Sequence, residues 1–172
     1  MRNAEADSGG YDCRNMSAYA PRIGGNVSEE ATTVEARESE RQRIEALMRR
    51  LIELRAAGDV AGLAAFAAPD IVFKTGIGRA HPFHAEYRGV EACAKLLRDV
   101  NVYYENLGSR LNKLLIDGDR VAMHRTARIR NRGTGRAVDI GMWNFVTFRD
   151  CLIVEFAEYP DTEAFAQLDA AD

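Results

Sequence analysis

Several patterns that mark a particular class of protein are scarce in this sequence. Its three cysteines, at positions 13, 93 and 151, form no CxxC pair and have no regular spacing. An odd number of isolated cysteines argues against a disulfide framework and against a zinc site. No run of about 18 apolar residues is present, and the first residues lack the apolar segment of a signal peptide. We therefore expect a cytoplasmic protein that has no membrane partner and binds no metal.

The sequence also lacks an excess of charge of one sign. Its 23 Lys and Arg residues nearly balance 26 Asp and Glu residues, which gives a net charge of −3. A dedicated nucleic-acid-binding protein carries a basic excess or a basic stripe, so no nucleic-acid partner is expected. What the chain does have is apolar content, 47% of its 172 residues. That is enough to bury the core of one domain, and too much for a mostly disordered chain.

The first part of the chain differs from the rest. Residues 1–36 contain two Gly-Gly pairs and scattered Ser, Asn and Thr, without a sustained apolar period. Such a composition predicts a flexible N-terminal extension. Residues 37–172, in which regular apolar periods occur, are expected to form a single folded domain.

Three helices are predicted in the first half of this domain. Apolar residues recur at helical spacing in three segments, at about 38–57, 60–68 and 90–106. Gly58 suits the end of the first helix, Asp59 can cap the second, and Pro69 marks the end of the second.

Strands are predicted after the second helix and throughout the last third of the chain. A short apolar run at 71–75 precedes a loop rich in Gly, His and Pro, and four longer runs lie at 111–116, 121–131, 137–148 and 152–159. The turns between the longer runs have hairpin lengths, so the sheet should be mostly antiparallel. Asp161 can cap a short C-terminal helix. The expected fold is an α+β domain whose helices cover one face of a curved sheet.

Alternation along these strands places polar residues among apolar ones. Arg125 shares a strand face with Met123, and on the next strand Asn144 shares a face with Ile140. A guanidinium in such surroundings must be paired or hydrogen-bonded. Glu158 on the last strand is its natural partner if that side chain points inward, which the pattern of this strand leaves ambiguous. The three groups would then form a polar patch at the floor of an apolar cavity.

Three segments carry a resemblance to a known family. They are the paired helices followed by PDIVF at 69–73, YRGV at 87–90, and WNFVTF at 143–148 followed by LIVEFAEYPDT at 152–162. Over about residues 38–170 the chain resembles the SnoaL-like and ketosteroid-isomerase-like branch of the nuclear transport factor 2-like superfamily. The resemblance implies a cone-shaped, mixed, mostly antiparallel sheet wrapped by three helices around a pocket. It also implies a homodimer formed through the outer sheet face, for which Trp143 and Phe145 are suited.

The polar residues of one related group of enzymes are only partly present. In limonene-epoxide-hydrolase-like members an arginine bridges two aspartates. Arg125 matches the arginine and Glu158 matches one aspartate, but Ala127 stands in place of the other. The tyrosine and asparagine that hold water in those enzymes correspond to Phe73 and Thr75. Epoxide hydrolysis by that mechanism is therefore not expected.

A different enzymatic hypothesis keeps the same residues. Ketosteroid isomerases and SnoaL-type cyclases carry an acid on the penultimate strand where this chain has Asn144, whose amide N–H can stabilise an enolate oxygen. Glu158 would be the base, and Arg125 would tune its ionisation. The substrate would be a small, largely apolar, carbonyl-containing molecule that undergoes cofactor-free proton transfer of an isomerase, cyclase or lyase type. Its predicted binding residues are Phe73, Thr75, Tyr103, Met123, Ile140 and Met142.

Two alternatives stay open at this point. The chain could be a non-catalytic small-molecule-binding or interaction module in which Arg125 and Glu158 form a structural ion pair. Convergence of the polar groups in an open cavity would favour the enzyme, and an outward Glu158 or a filled interior would favour the module. The other alternative is a dehydratase that uses His81 or His84 with a tyrosine.

Overall fold

Ten helices and strands follow one another in the computed structural model, which describes residues 27–79 and 81–170. The helices are α1 (Val27–Ala57), α2 (Val60–Ala64), α3 (Val90–Tyr103) and α4 (Thr162–Asp169). The strands are β1 (Ala67–Thr75), β2 (Glu86–Arg88), β3 (Tyr104–Asp117), β4 (Arg120–Asn131), β5 (Ala137–Arg149) and β6 (Leu152–Pro160). The predicted α+β order is confirmed, and Asp161 caps α4 through hydrogen bonds from Glu163 and Ala164 N–H groups.

All six strands form one curved, open sheet in the order β2-β1-β6-β5-β4-β3. Neighbouring strands are antiparallel except β1 and β6, which run parallel. Helices α1, α3 and α4 pack against this sheet. The predicted mixed, mostly antiparallel sheet wrapped by helices is confirmed.

The first strand begins earlier than the sequence pattern predicts. Helix α2 ends at Ala64 and β1 begins at Ala67, so the predicted continuation of the second helix to Pro69 is wrong. Ala67 pairs with Ile153 of β6, and pairing resumes at Val72 after a shift in register. Pro69 falls in that interruption, where its missing N–H costs the sheet no ladder bond.

Helix α1 is longer than the predicted first helix. It begins at Val27, so residues 27–36 of the predicted extension are helical, whereas residues 1–26 lie outside the described residues. Its predicted apolar face is confirmed, since Ile44 and Met48 are buried in the core. In the described part of the chain no helix is long and apolar enough to cross a membrane.

The third helix ends sooner than its apolar period predicts. It stops at Tyr103, and Tyr104 is already the first residue of β3, paired with Asn131 of β4. Tyr104 is buried, whereas Tyr103 and Leu107 are exposed. Tyr103, predicted to bind the substrate, therefore lies away from the core, because pairing with β4 replaces the helical period by strand alternation from Tyr104 onward.

Two apolar clusters lie on the inner face of the sheet. One joins α1 to β4 through Met123, and the other joins β5 to α4 through Ile140 and Leu168. Burial of one such side chain stabilises the fold by about 1.5–3 kcal/mol. Along β4 and β5 the change from one cluster to the other falls at Arg125 and Asn144, which are both buried.

Candidate active site

Arg125, Asn144 and Glu158 meet between the two apolar clusters. Arg125 donates from Nη2 to Glu158 Oε2 over 2.6 Å and from Nε to Asn144 Oδ1 over 3.0 Å. Asn144 donates from Nδ2 to the same Glu158 Oε2 over 3.0 Å. The predicted convergence of a guanidinium, an amide and a carboxylate is confirmed.

Strand register explains why these three groups meet. Asn144 of β5 is the direct partner of Glu158 on β6, and Met123 of β4 pairs with Asn144 on its other side. Arg125 lies two residues beyond Met123 on the same face of β4. Its long side chain therefore reaches both Asn144 and the carboxylate.

A bulge in β6 decides which way Glu158 points. The pairing of β5 with β6 skips Val154. An extra residue in one strand reverses its alternation beyond that point. Ile153 before the bulge and Phe156 after it consequently both contact the inner apolar cluster. Glu158 shares the face of Phe156, so the ambiguity left by the sequence is resolved in favour of the inner face.

The guanidinium of Arg125 is bonded on three sides. Besides Asn144 and Glu158, it donates from Nη1 to Ser109 Oγ of β3 over 3.3 Å. Ser109 Oγ also lies 3.3 Å from Asn106 Nδ2, which donates to it. Only 5% of Arg125 is exposed. The arginine is thus a fixed positive charge whose planar group orients the carboxylate.

An open space adjoins this polar group. A cavity of about 90 Å³ lies between α1, α3, α4 and the inner sheet face. Its charged wall residues are Arg55, Arg125 and Glu158. Its apolar wall includes Phe73, Leu97, Met142, Phe156 and Phe165. A mostly apolar cavity with a few convergent polar groups is the usual form of a small-molecule site.

Of these three residues, Glu158 borders the cavity with an oxygen that accepts no hydrogen bond from the described part of the chain. Its side chain is 24% exposed, compared with 6% for Arg125. Both hydrogen bonds to the carboxylate end on Oε2, and no donor among the described residues reaches Oε1. Oε1 is therefore the atom available to a molecule in the cavity.

The surroundings keep Glu158 ionised. Burial alone would raise the pKa of this carboxyl. The positive charges of Arg125 and Arg55, together with hydrogen bonds from Asn144 and Arg125, outweigh burial and hold the pKa below its ordinary value of 4.5. At neutral pH the side chain is a carboxylate.

Asn144 supports the site from behind and does not face the cavity. Its amide oxygen accepts from Arg125 and its amide nitrogen donates to Glu158. It has 0% exposure, so the expectation that Asn144 touches a substrate oxygen is wrong. The physical reason is that strand pairing places it beneath the other two side chains, where it positions them.

A second guanidinium, that of Arg55, borders the cavity and is not predicted by the sequence pattern. Arg55 lies in the last turn of α1 and donates from Nη1 to Asn101 Oδ1 of α3 over 2.8 Å. Asn101 in turn donates to the carbonyl of Gly58 over 3.3 Å. Burial lowers the pKa of Arg55, the charge of Glu158 raises it and Arg125 lowers it again. In the sequence Arg55 resembles the other arginines of an amphipathic helix, and only the packing of α1 on α3 distinguishes it.

The predicted substrate-binding residues on strands divide into two groups. Phe73, Thr75 and Met142 line the cavity. Met123 and Ile140 lie behind the wall in the two apolar clusters, so they support the cavity without bordering it. Alternation identifies the face of a strand on which a residue lies, but not its depth below the surface of a cavity.

The tyrosine of the cavity is Tyr104 rather than the predicted Tyr103. Its hydroxyl donates to the Asp169 carboxylate over 2.9 Å and lies 3.2 Å from His81 Nε2. Burial, the hydrogen bond to Asp169 and the negative charge of Asp169 raise the pKa of Tyr104.

His84 is exposed and lies outside the cavity wall. Within the described residues no group of three His, Cys, Asp or Glu side chains is placed to hold a metal ion.

The fold and its pocket form an α+β cone, the fold of NTF2-like proteins. A family model for the SnoaL-like domain matches residues 48–156. The chain belongs to this SnoaL-like family. A comparison with curated proteins finds no match.

Solved structures share this cone. An NTF2-like protein from Burkholderia xenovorans is 24% identical, with a TM-score of 0.61 over 75% of this chain and 97% of that one. A protein of ketosteroid isomerase-like fold from Catenulispora acidiphila, in complex with trimethylamine, is 15% identical, with a TM-score of 0.60 over 68% and 86% of the two chains. An LEH-like epoxide hydrolase from M. tuberculosis is 18% identical, with a TM-score of 0.57 over 70% and 85%. At these identities the likeness establishes a common fold, and function rests on the site.

Proposed function

We propose that this chain catalyses proton transfer on a small, largely apolar carbonyl compound without a cofactor, with Glu158 as the base. The observation that carries the proposal is the position of Glu158 Oε1. Glu158 is an ionised carboxylate that borders an apolar cavity, and no donor among the described residues reaches its Oε1. A base must be ionised, fixed in place and within reach of its proton, and this carboxylate meets the first two conditions before any ligand arrives.

The chemical step follows from that geometry. Glu158 Oε1 takes a proton from the carbon next to the substrate carbonyl. The C–H bond breaks, its electron pair passes to the carbonyl oxygen, and an enolate forms beside a neutral Glu158. The protonated carboxyl then returns the proton to another carbon, which completes an isomerisation. In a cyclisation the enolate carbon instead attacks a second carbonyl carbon of the same molecule, the π bond of that carbonyl breaks, and its oxygen takes the proton back from Glu158.

Arg125 contributes before and after this transfer. Its charge and its hydrogen bond keep Glu158 ionised and aimed, and it then stabilises negative charge that develops on the substrate. The lowered pKa of Glu158 makes it a weaker base than an isolated carboxylate. The site is therefore suited to a substrate whose C–H is already acidic, such as a molecule with two carbonyl groups around one carbon.

The non-catalytic module is the second candidate. Two observations favour it. Arg125 is held by Asn144, Ser109 and Glu158 as in a structural ion pair, and Glu158 is the single carboxylate of the cavity wall in the described residues. An open cavity and an inward Glu158 support the enzyme instead.

Hydrogen–deuterium exchange in D₂O, followed by NMR, tests the proposal directly. The compounds are cyclohexanone, 4-phenylbutan-2-one and ethyl acetoacetate, each compared with its exchange in buffer. The wild-type protein should accelerate exchange next to the carbonyl of at least one compound. Glu158→Gln should lower that acceleration by about a hundredfold or more. The matched control is Glu155→Gln, on the same strand but 41% exposed and paired with Lys74, which should keep the wild-type rate.

Two results would overturn the enzymatic proposal. One is a folded Glu158→Gln protein that exchanges at the wild-type rate. The other is a wild-type protein that accelerates exchange of none of the three compounds, and this result would favour the binding module.

We also propose that a second copy of the chain covers the outer sheet face. Trp143, Phe145 and Tyr159 are 41%, 50% and 48% exposed. The rings of Phe145 and Tyr159 meet edge to face at 6.0 Å and form one aromatic patch. Exposed patches of this kind mark interaction surfaces. Sedimentation equilibrium should show a dimer that Phe145→Lys converts to a monomer, and a monomeric wild-type protein would contradict the proposal.

A further inference from the structure

The cavity wall carries more positive than negative charge. Its charged residues are two arginines, Arg55 and Arg125, and one carboxylate, Glu158. Glu158 pairs with Arg125 at 2.6 Å. Among the described residues no carboxylate lies within 4.0 Å of Arg55, and its hydrogen-bond partner is the neutral side chain of Asn101. The wall therefore has one net positive charge.

Asp169, the carboxylate bound to the cavity residue Tyr104, does not compensate for this charge. Asp169 accepts hydrogen bonds from Tyr104 and Asn131 and lies 3.4 Å from His81. It does not border the cavity, whereas Tyr104 does. The charge of Asp169 is thus taken up by Tyr104, Asn131 and His81, outside the cavity wall.

Arg55 is held in a fixed position. Asn101 accepts its Nη1 hydrogen bond and anchors itself to the carbonyl of Gly58, so α1 and α3 together place the guanidinium. A guanidinium has five N–H donors, and this one spends a single hydrogen bond on the protein. A positive charge with unused donors beside apolar walls favours the binding of an anion.

We propose that the substrate of this site carries a carboxylate that pairs with Arg55, on the same apolar body as its carbonyl group. The inference rests on the proposed function, because it names the substrate class for the same cavity. One net positive charge on the wall matches one carboxylate, whose two oxygens suit the parallel N–H groups of a guanidinium. A phosphate dianion would instead leave uncompensated negative charge among apolar side chains.

The two arginines then have separate tasks. Arg55 anchors the substrate by its carboxylate, and Arg125 orients the base. Attachment at one end fixes which carbon of the substrate lies at Glu158 Oε1, and such positioning contributes to rate independently of the strength of the base.

Three compounds with one apolar body and different charges test this inference. They are phenylacetate, phenylacetamide and 2-phenylethylammonium, with binding measured by calorimetry at pH 7. The wild-type protein should bind phenylacetate about tenfold more tightly than the amide. Replacement of a neutral hydrogen bond by a charge-assisted one lowers the dissociation constant by about this factor. The ammonium compound should bind most weakly.

Substitutions then assign the preference to one residue. Arg55→Met should remove the preference for phenylacetate over phenylacetamide, and Arg55→Lys should keep part of it. Arg50→Met is the matched control on the exposed side of the same helix, where the arginine side chain is 52% exposed, and it should leave the preference unchanged. Glu158→Gln removes the competing negative charge and should tighten the binding of phenylacetate.

The outcomes separate the two proposals. Equal wild-type affinity for phenylacetate and phenylacetamide overturns the carboxylate inference, and this measurement needs no variant to fold. A folded Arg55→Met protein that keeps the full preference also overturns it. If Glu158-dependent exchange occurs on neutral ketones without any anion preference, the carboxylate inference alone fails. If the anion preference is found without any exchange, the catalytic proposal alone fails.

Discussion

Two of the arginine–carboxylate pairs on strand β4 differ in their surroundings. Arg125 on the inner face pairs with Glu158 at 2.6 Å, and Arg128 on the outer face pairs with Asp139 at 3.3 Å. The inner side chains are 6% and 24% exposed, whereas the outer ones are 50% and 63% exposed. The same pair of chemical groups, three residues apart, is desolvated on one face of the sheet and hydrated on the other.

The comparison shows that strand face, rather than residue type, decides what a charge pair does. An exposed pair is screened by water and contributes little to stability. A buried pair is no better than an apolar substitute for stability, but loss of one partner leaves a charge without compensation. The inner pair therefore presents desolvated charge to a ligand in the cavity, whereas the outer pair is part of a hydrated surface.

The largest expected effect comes from the removal of one arginine on each face. Arg125→Met leaves Glu158 and Asn144 without their donor and should lower the free energy of unfolding by about 3–5 kcal/mol. Arg128→Met should lower it by less than about 1 kcal/mol. Urea unfolding at pH 7 measures both. Similar losses in the two variants would contradict the contrast between the faces.

The pH dependence of stability sharpens the same contrast. Because Glu158 has a lower pKa in the folded chain than in the unfolded one, its ionised form stabilises the fold above the unfolded-state pKa. That contribution is lost as the pH falls through the folded-state pKa, below the ordinary value of 4.5. The difference in unfolding free energy between wild type and Glu158→Gln should be constant above about pH 6 and should narrow in acid. Urea midpoints from pH 7 to pH 3 measure it, and a difference independent of pH would contradict the assignment.

A smaller effect is expected at two neighbouring tyrosines that end on opposite sides of the wall. Tyr104→Phe removes the hydrogen bond to Asp169 and should cost about 1.5 kcal/mol. Tyr103 is 59% exposed, so Tyr103→Phe should change stability by less than about 0.5 kcal/mol. Thermal unfolding of both variants gives the comparison. An equal loss of stability in Tyr103→Phe would contradict the assignment of Tyr104 as the tyrosine of the cavity.

Much of the fold could be predicted because its signals are local. The four long β-runs, the apolar face of α1 and the cap at Asp161 depend on residues that are neighbours in the chain. The inner faces of β4 and β5 follow from alternation alone, which is why Arg125 and Asn144 are correctly predicted to be buried.

The errors occur where a distant segment decides. Pairing of Ala67 with Ile153 converts the end of a predicted helix into strand. Pairing of Tyr104 with Asn131 ends α3 early and exchanges the roles of two tyrosines. In both places the hydrogen bonds of the sheet outweigh a local helical preference, which amounts to less than about 1 kcal/mol per residue.

Sequence by itself therefore determined which residues alternate and hence which polar groups could lie inside, because side-chain alternation is set by backbone geometry within one strand. Tertiary structure alone decided the direction of Glu158, through the bulge at Val154, and the presence of Arg55 in the cavity, through the packing of α1 on α3. Both decisions depend on how one element is placed against another, and no period within a single element contains that information.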